Sequence, residues 1–185
     1  PEDPLLWGDL AAAFRAAGWD VRARRAPFAV VTMRELNAQL VVAAGLLHAA
    51  RAIRRAAAAA GLTPDGTLGT ETVARLLGLR VNHPQGQEEL ERAPTEPASR
   101  AEAAYSIARL RSLTPDQLRS VGELAAGFRL PRLDASQRAV LDRALRLVGQ
   151  PYVWAGMSER RQELYYGTAP GGFDCSGLVW RVYKL

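Results

Sequence analysis

Hydrophobic and polar positions along most of this chain recur with the spacing of amphipathic α-helices. Four residue pairs have the capping-box pattern, in which a polar residue and a Glu or Gln three positions later satisfy free backbone N–H groups: Thr32 with Glu35, Ser99 with Glu102, Thr114 with Gln117, and Asp134 with Gln137. The helix after the first pair is predicted to bury a face of Leu36, Leu40, Ala43 and Leu47. Strand-like alternation is confined to residues 27–31. The pattern predicts a mainly α chain.

The segment "LLHAARAIRRAAAAAGL" predicts an alanine-rich helix that stops at Gly61, a residue suited to a helix C-terminus. Arg51, Arg54 and Arg55 fall on one stripe of this helix. Two interpretations stay open at this point. The stripe is either an ordinary solvated face or a surface that binds phosphate or a wall polymer.

Two stretches rich in helix-breaking residues divide the chain. Residues 83–99 contain Pro, Glu and Gln and predict a loop or connector, and residues 128–136 form a second, shorter break. We place a domain boundary in the second break. It separates a helical region, residues 1–130, from a smaller unit, residues 131–185.

Composition narrows the classes of function. The 185 residues are 48% hydrophobic and carry a net charge of +5, enough for a core and for mild attraction to anionic polymers. Basic residues do not interleave with aromatic ones, so we predict no nucleic-acid binding. One cysteine and two histidines predict neither a disulfide nor a zinc site, and we predict no cofactor. No apolar run reaches 18 residues, so we predict no transmembrane segment.

The single cysteine lies in a pattern suited to chemistry. Asp174 can cap a helix that begins at Cys175, and free N–H groups at a helix start favour a thiolate, although the charge of Asp174 opposes this. We expect Leu178, Val179 and Val182 to face a core. Further upstream, Gly149 ends a helix, and Pro151 predicts extended backbone through residues 152–154.

Two motifs in this order, "GQPYVWAG" and "FDCSGLVWRVY", resemble the signature of the NlpC/P60 cysteine peptidases, which have a papain-like fold and cleave peptidoglycan stem peptides. The resemblance covers residues 134–185. It implies that Cys175 is the nucleophile, that Tyr152 lies near the thiol and substrate, and that Asp174 and Ser176 receive the free amino end of the stem peptide. Alternatives stay open: Tyr152 and Trp154 pack on the preceding helix, or the cysteine is inert filler. Ala155 stands where the family commonly has glycine.

The helical region has a second, weaker resemblance. "TMRELNAQLVVAAGL", "GTETVARLLGL" and "PASRAEAAYSIARL" echo one another, and "SRAEAAYSIARL" is similar to the helix start of S-layer homology modules. That resemblance implies anchoring to anionic wall polymers. The alternative is that capped amphipathic helices simply look alike.

The NlpC/P60 resemblance also implies a catalytic histidine on strands that follow the cysteine helix. In this chain, however, His48 and His83 both lie upstream of Cys175. Residues 134–185 predict two helices and at most one short strand. The expected fold is therefore mainly α: a helical region followed by the helical half of an α+β papain-like domain whose β-sheet portion is missing. We expect an incomplete chain with nothing to cover Leu178, Val179, Trp180 or Val182, and with no appreciable peptidase activity by itself.

The predicted function is a secreted, cell wall-associated endopeptidase that cleaves peptidoglycan stem peptides with a cysteine nucleophile. The first alternative is a non-catalytic wall-binding protein that carries a remnant hydrolase domain. In a third possibility, the helical region contacts another protein.

Overall fold

The structure, a computed structural model, describes residues 3–20, 25–84 and 86–184. Eight α-helices account for most of these residues: α1 (Trp7–Ala16), α2 (Met33–Ala43), α3 (Leu47–Ala59), α4 (Leu68–Leu76), α5 (Arg100–Ser112), α6 (Pro115–Gly127), α7 (Ala135–Arg146) and α8 (Cys175–Tyr183). A 3-10 turn, Glu88–Leu90, lies in the connector before α5. The predicted mainly α class is confirmed.

Most helices begin where the sequence places a cap. Capping boxes open α2, α6 and α7 at Thr32, Thr114 and Asp134. Ser99 caps α5 by accepting a hydrogen bond from the Glu102 N–H at 3.1 Å, but the Glu102 carboxylate faces His83 and leaves the box half formed.

The prediction that Leu47 shares a helix face with Leu36 and Leu40 is wrong. α2 stops at Ala43, and Gly45 adopts φ +73° before α3 begins at Leu47. Only a residue without a side chain takes this left-handed backbone at no cost. The reversal places Leu47 on a separate helix.

The main core lies among the first six helices. Phe14, Met33, Leu40, Val73 and other apolar side chains of this cluster are completely buried. Helices α3 and α4 approach closely at Gly69, where a Cβ atom would lie 2.0 Å from the Ala50 carbonyl oxygen. This contact requires glycine.

Residues 27–31, predicted as strand-like, form no strand. Val31 donates to the Leu5 carbonyl, Leu5 donates to the Ala98 carbonyl, and Ala98 donates to the Val31 carbonyl, each at 2.8 Å. Isolated β-bridges thus hold together the three segments that precede α1, α2 and α5.

The prediction of at most one short strand in residues 134–185 is wrong. Four strands form two antiparallel pairs: β1 (Met157–Ser158) with β4 (Gly172–Phe173), and β2 (Gln162–Leu164) with β3 (Gly167–Ala169). In the first pair Met157 is opposite Phe173, and in the second Gln162 is opposite Ala169. The loop between the two sequence motifs is therefore a folded β-element.

Packing continues across the break at residues 128–136. Ala57, Leu62 and Leu68 form a second apolar cluster with residues of α7 and of the segments on either side of it: Leu130, Leu133, Leu141, Leu145 and Val148. Within the described residues no single helix is long and apolar enough to cross a bilayer; α2 and α3 satisfy length and composition only as a pair bent by 117°.

Candidate functional site

Asp174 and Cys175 lie at the start of α8 as the sequence predicts. Asp174 Oδ1 accepts hydrogen bonds from the Gly177 N–H at 2.6 Å and from the Ser176 hydroxyl at 2.8 Å. The backbone hydrogen bond from Gly177, followed by the Ser176 contacts, lowers the pKa of Asp174 below its ordinary value, against a smaller desolvation effect. Cys175 is a free, exposed thiol next to an ionised carboxylate.

The start of α8 is fastened to the turn after Tyr152. The Asp174 N–H donates to the Gly156 carbonyl at 3.1 Å, and a Cβ atom on Gly177 would lie 2.0 Å from that same oxygen. The preceding Ala155 adopts φ +58°, a left-handed conformation that favours glycine. Glycine would therefore suit position 155 better than alanine does.

The backbone of Tyr152 lies directly beside the residue two positions before Cys175. Tyr152 and Phe173 form a parallel bridge, in which the Phe173 N–H donates to the Pro151 carbonyl and the Val153 N–H donates to the Phe173 carbonyl, both at 3.1 Å. The Tyr152 side chain is 54% exposed. The two motifs, separated by about twenty residues of sequence, thus meet at one edge.

The β2–β3 hairpin returns its tip to this edge. The Trp154 indole N–H donates to the Tyr165 hydroxyl at 3.0 Å, and the Tyr166 hydroxyl donates to the Trp154 carbonyl at 2.5 Å. The two tyrosine rings stack edge to face with centroids 5.0 Å apart. Burial, though modest, raises the pKa of Tyr166. Trp154 is thus bonded to the hairpin.

Tyr165 and Tyr166 were missed by the sequence analysis. The signal available was the dipeptide Tyr-Tyr before Gly167, which adopts φ +130° at the hairpin turn. This signal is weak, because the favoured two-residue turns contain Asn-Gly or Asp-Gly, whereas here Tyr165 and Tyr166 form the turn and Gly167 follows it. Both tyrosines join Tyr152 and Trp154 in an exposed aromatic surface beside the Cys175 helix.

A buried polar contact from the helical region holds the segment before Tyr152. Arg75 of α4 donates through Nη2 to the carbonyls of Gly149 and Gln150 at 3.0 and 3.2 Å. Gly149 has φ +96°, and a Cβ atom there would lie 3.0 Å from Glu71 Oε2. The site edge is therefore built partly by α4.

Glu71 itself is completely buried. The amide nitrogen of Asn37 donates to its two carboxylate oxygens at 3.1 and 3.0 Å. Desolvation raises the pKa of Glu71 despite this bond and the nearby charges of Arg80 and Arg75. The turn at Gly149 therefore lies against a buried carboxyl group whose pKa is higher than that of an exposed glutamate.

On α8, only Val182 of the three predicted core residues is buried. Leu178 and Val179 are exposed, as is Trp180, so the prediction that Leu178 and Val179 face a core is wrong. The reason is that β1, β4 and α7 contact the helix only on the side of Gly177 and Val182. The expected lack of cover is found over Leu178, Val179 and Trp180, but it is wrong for Val182, which is buried beside α7.

Both histidines are engaged elsewhere. His48 Nδ1 lies 3.1 Å from the Gly45 carbonyl oxygen, and its other ring nitrogen faces Gly122 of α6. His83 Nε2 lies 3.5 Å from Glu102, and the His83 N–H donates to Glu91 at 2.9 Å. Burial raises the pKa of Glu91. Neither ring belongs to the Cys175 edge.

No group of three His, Cys, Asp or Glu side chains among the described residues is arranged to hold a metal ion. No protein family, curated protein or solved structure matches this chain. The two motifs and the edge that they form are thus the observations that bear on function.

Proposed function

We propose that this chain carries the nucleophile and part of the substrate edge of a cysteine peptidase that cleaves peptidoglycan stem peptides. The observation that carries the proposal is the exposed Cys175 at the first turn of α8, fastened beside the Tyr152 strand. A helix start favours the negative charge of a thiolate. An exposed thiol at such a helix start, with the exposed side chains of Tyr152 and Trp154 on the adjoining segment, is suited to attack on a peptide carbonyl.

In the proposed reaction the Cys175 sulfur bonds to the carbonyl carbon of an amide. The C–N bond then breaks, the amine leaves with a proton, and water hydrolyses the thioester to a carboxylate and the free thiol. The proton acceptor is a group other than His48 and His83, since both of these side chains make their contacts away from Cys175. Asp174, ionised and beside the thiol, attracts the ammonium end of a stem peptide, and Ser176 orients that carboxylate.

The test uses the complete protein and purified peptidoglycan, with release of new amino groups and soluble fragments as the measurement. We expect Cys175→Ala to abolish release and to leave binding to insoluble wall unchanged. Ser136→Ala, at an exposed position on α7, is the matched control and keeps full activity. Equal release by the wild-type and Cys175→Ala proteins would contradict the proposal.

A second function has its own observation. Arg51, Arg54 and Arg55 are all exposed on α3, and a wall-binding protein without catalysis needs only such a surface to hold an anionic polymer. In that case the complete protein sediments with wall material, releases no amino groups, and loses sedimentation when the three arginines are replaced by glutamine. Both functions put the protein outside the cell and on the wall.

A further inference from the structure

An apolar cavity of about 440 Å³ lies between α3, α4, α6 and α7. Its walls are almost entirely aliphatic and aromatic, with Leu62 and Leu68 buried and Leu124 and Phe128 exposed. Among the described lining residues the one polar side chain is Thr72, whose hydroxyl donates to the Leu68 carbonyl inside its own helix. The walls therefore present no polar group to a ligand, and the cavity suits hydrocarbon.

A basic cleft of about 370 Å³ adjoins this cavity, and Leu130 lines both. The cleft contains Arg129, Arg132 and Arg138. Arg129 Nη1 donates to the Ala126 and Phe128 carbonyls, and Arg138 Nη1 donates to the Leu133 carbonyl.

These bonds use one terminal nitrogen of each guanidinium, which has five N–H donors in all. The bonds hold two guanidinium groups of the cleft in place. The cleft therefore has fixed positive charge and donors suited to an anion.

We propose that cavity and cleft together bind a single-chain anionic amphiphile, with its alkyl chain in the cavity and its acidic head group among the three arginines. Charge complementarity favours this occupant, because the three arginines line the cleft that shares Leu130 with the cavity, and a purely apolar partner would leave them unused. An apolar cavity of about 150 Å³ is enough for benzene, so a volume near 440 Å³ holds a chain on the order of twelve carbons. This inference is independent of Cys175 and of the proposed peptidase.

The test is calorimetric titration of the full chain with dodecanoate below its micelle concentration. Each buried methylene is expected to tighten the dissociation constant about fourfold, so decanoate, with two methylenes fewer, binds about fifteenfold more weakly than dodecanoate. Dodecyltrimethylammonium has the same chain length and the opposite charge, and we expect it to bind at least tenfold more weakly. Binding that ignores both chain length and charge overturns the proposal.

Variants separate the two parts of the site. Leu124→Glu places a charge at an exposed wall position, so it leaves the fold intact and removes binding of the chain; helical content by circular dichroism checks the fold. Arg132→Gln and Arg138→Gln each weaken dodecanoate several-fold. Arg111→Gln, at an exposed α5 arginine that lines neither space, is the matched control and leaves affinity unchanged.

Two other occupants would show themselves in the same experiments. If a second copy of the chain fills the cavity, sedimentation finds a dimer that Leu124→Glu converts to monomer, and dodecanoate does not bind. If a bilayer surface is the partner, the chain floats with phosphatidylglycerol vesicles and does not bind monomeric dodecanoate. Either result overturns the proposal.

Discussion

Replacing Gly177 by alanine tests how the Cys175 helix is held against the Tyr152 turn. The added Cβ would lie 2.0 Å from the Gly156 carbonyl oxygen, a distance that real side chains do not tolerate. Because the obstacle is backbone, α8 or the turn has to move by about 1 Å, to relieve an overpacked contact of this kind. The same oxygen accepts the Asp174 N–H, so the movement also weakens the hydrogen bond at the helix start.

Three contributions set the magnitude for Gly177→Ala. Overpacking costs about 1–3 kcal/mol. A lost backbone hydrogen bond costs about 1 kcal/mol, and the helix propensity of alanine returns about 1 kcal/mol. We therefore expect the free energy of unfolding to fall by about 2 kcal/mol.

Gly122→Ala on α6 is the matched control. A Cβ atom there meets His48 and Leu46 at 3.7 Å, an ordinary contact distance. The same substitution should therefore raise the free energy of unfolding by about 0.5–1 kcal/mol through helix propensity alone.

Urea unfolding at constant pH, followed by circular dichroism and tryptophan fluorescence, measures both variants. Alkylation of Cys175 by iodoacetamide, measured alongside, tells whether the change reaches the thiol. The reasoning fails if Gly177→Ala is as stable as wild type, or if Gly122→Ala loses as much stability as Gly177→Ala.

Two further predictions concern the buried contact under Gly149. Arg75→Ala leaves the Gly149 and Gln150 carbonyls without their donor and should lower the free energy of unfolding by about 2–3 kcal/mol. Arg75→Lys should restore part of this loss. Urea unfolding measures both variants, and equal losses in the two would contradict the prediction. The pKa of Glu71 in the folded chain lies above the ordinary value of 4.5, so the folded chain keeps a proton that the unfolded chain releases. The free energy of unfolding therefore falls as the pH rises from about 4.5 through the raised pKa. Glu71→Gln should reduce this slope in unfolding curves taken across that range, whereas the exposed Glu123→Gln should not.

The features that sequence predicted well are those decided within a few residues. The caps at Thr32, Thr114, Asp134 and Asp174 depend on side chains that reach backbone three positions away, so their pattern is legible in the chain itself. The position of Cys175 at a helix start follows from the same local rule. The peptidase assignment stays a prediction.

The features that sequence missed depend on distant partners. The strands around Met157 and Phe173 are two residues long, and they form because they pair with each other across fifteen residues. Strands this short show no alternating hydrophobic pattern in the sequence. Glu71 and Arg75 have the composition of a solvated helix face, yet Asn37 and the Gly149 turn bury them. Leu178 and Val179 have an apolar pattern that predicts burial, but the described residues pack only on the other side of their helix.

The apolar cluster of Ala57, Leu62 and Leu68 with Leu133 and Leu141 has a practical consequence for anyone who builds chimeras from this chain. A fragment that starts at residue 131 would expose Leu133 and Leu141 to solvent. The fragment left behind would expose Ala57, Leu62 and Leu68. Because the main core spans α1 to α6, a fusion joint placed before α1 keeps both that core and this apolar cluster intact. The best position for a fusion joint is thus set by the contacts of the leucines, and it lies well upstream of the "GQPYVWAG" motif.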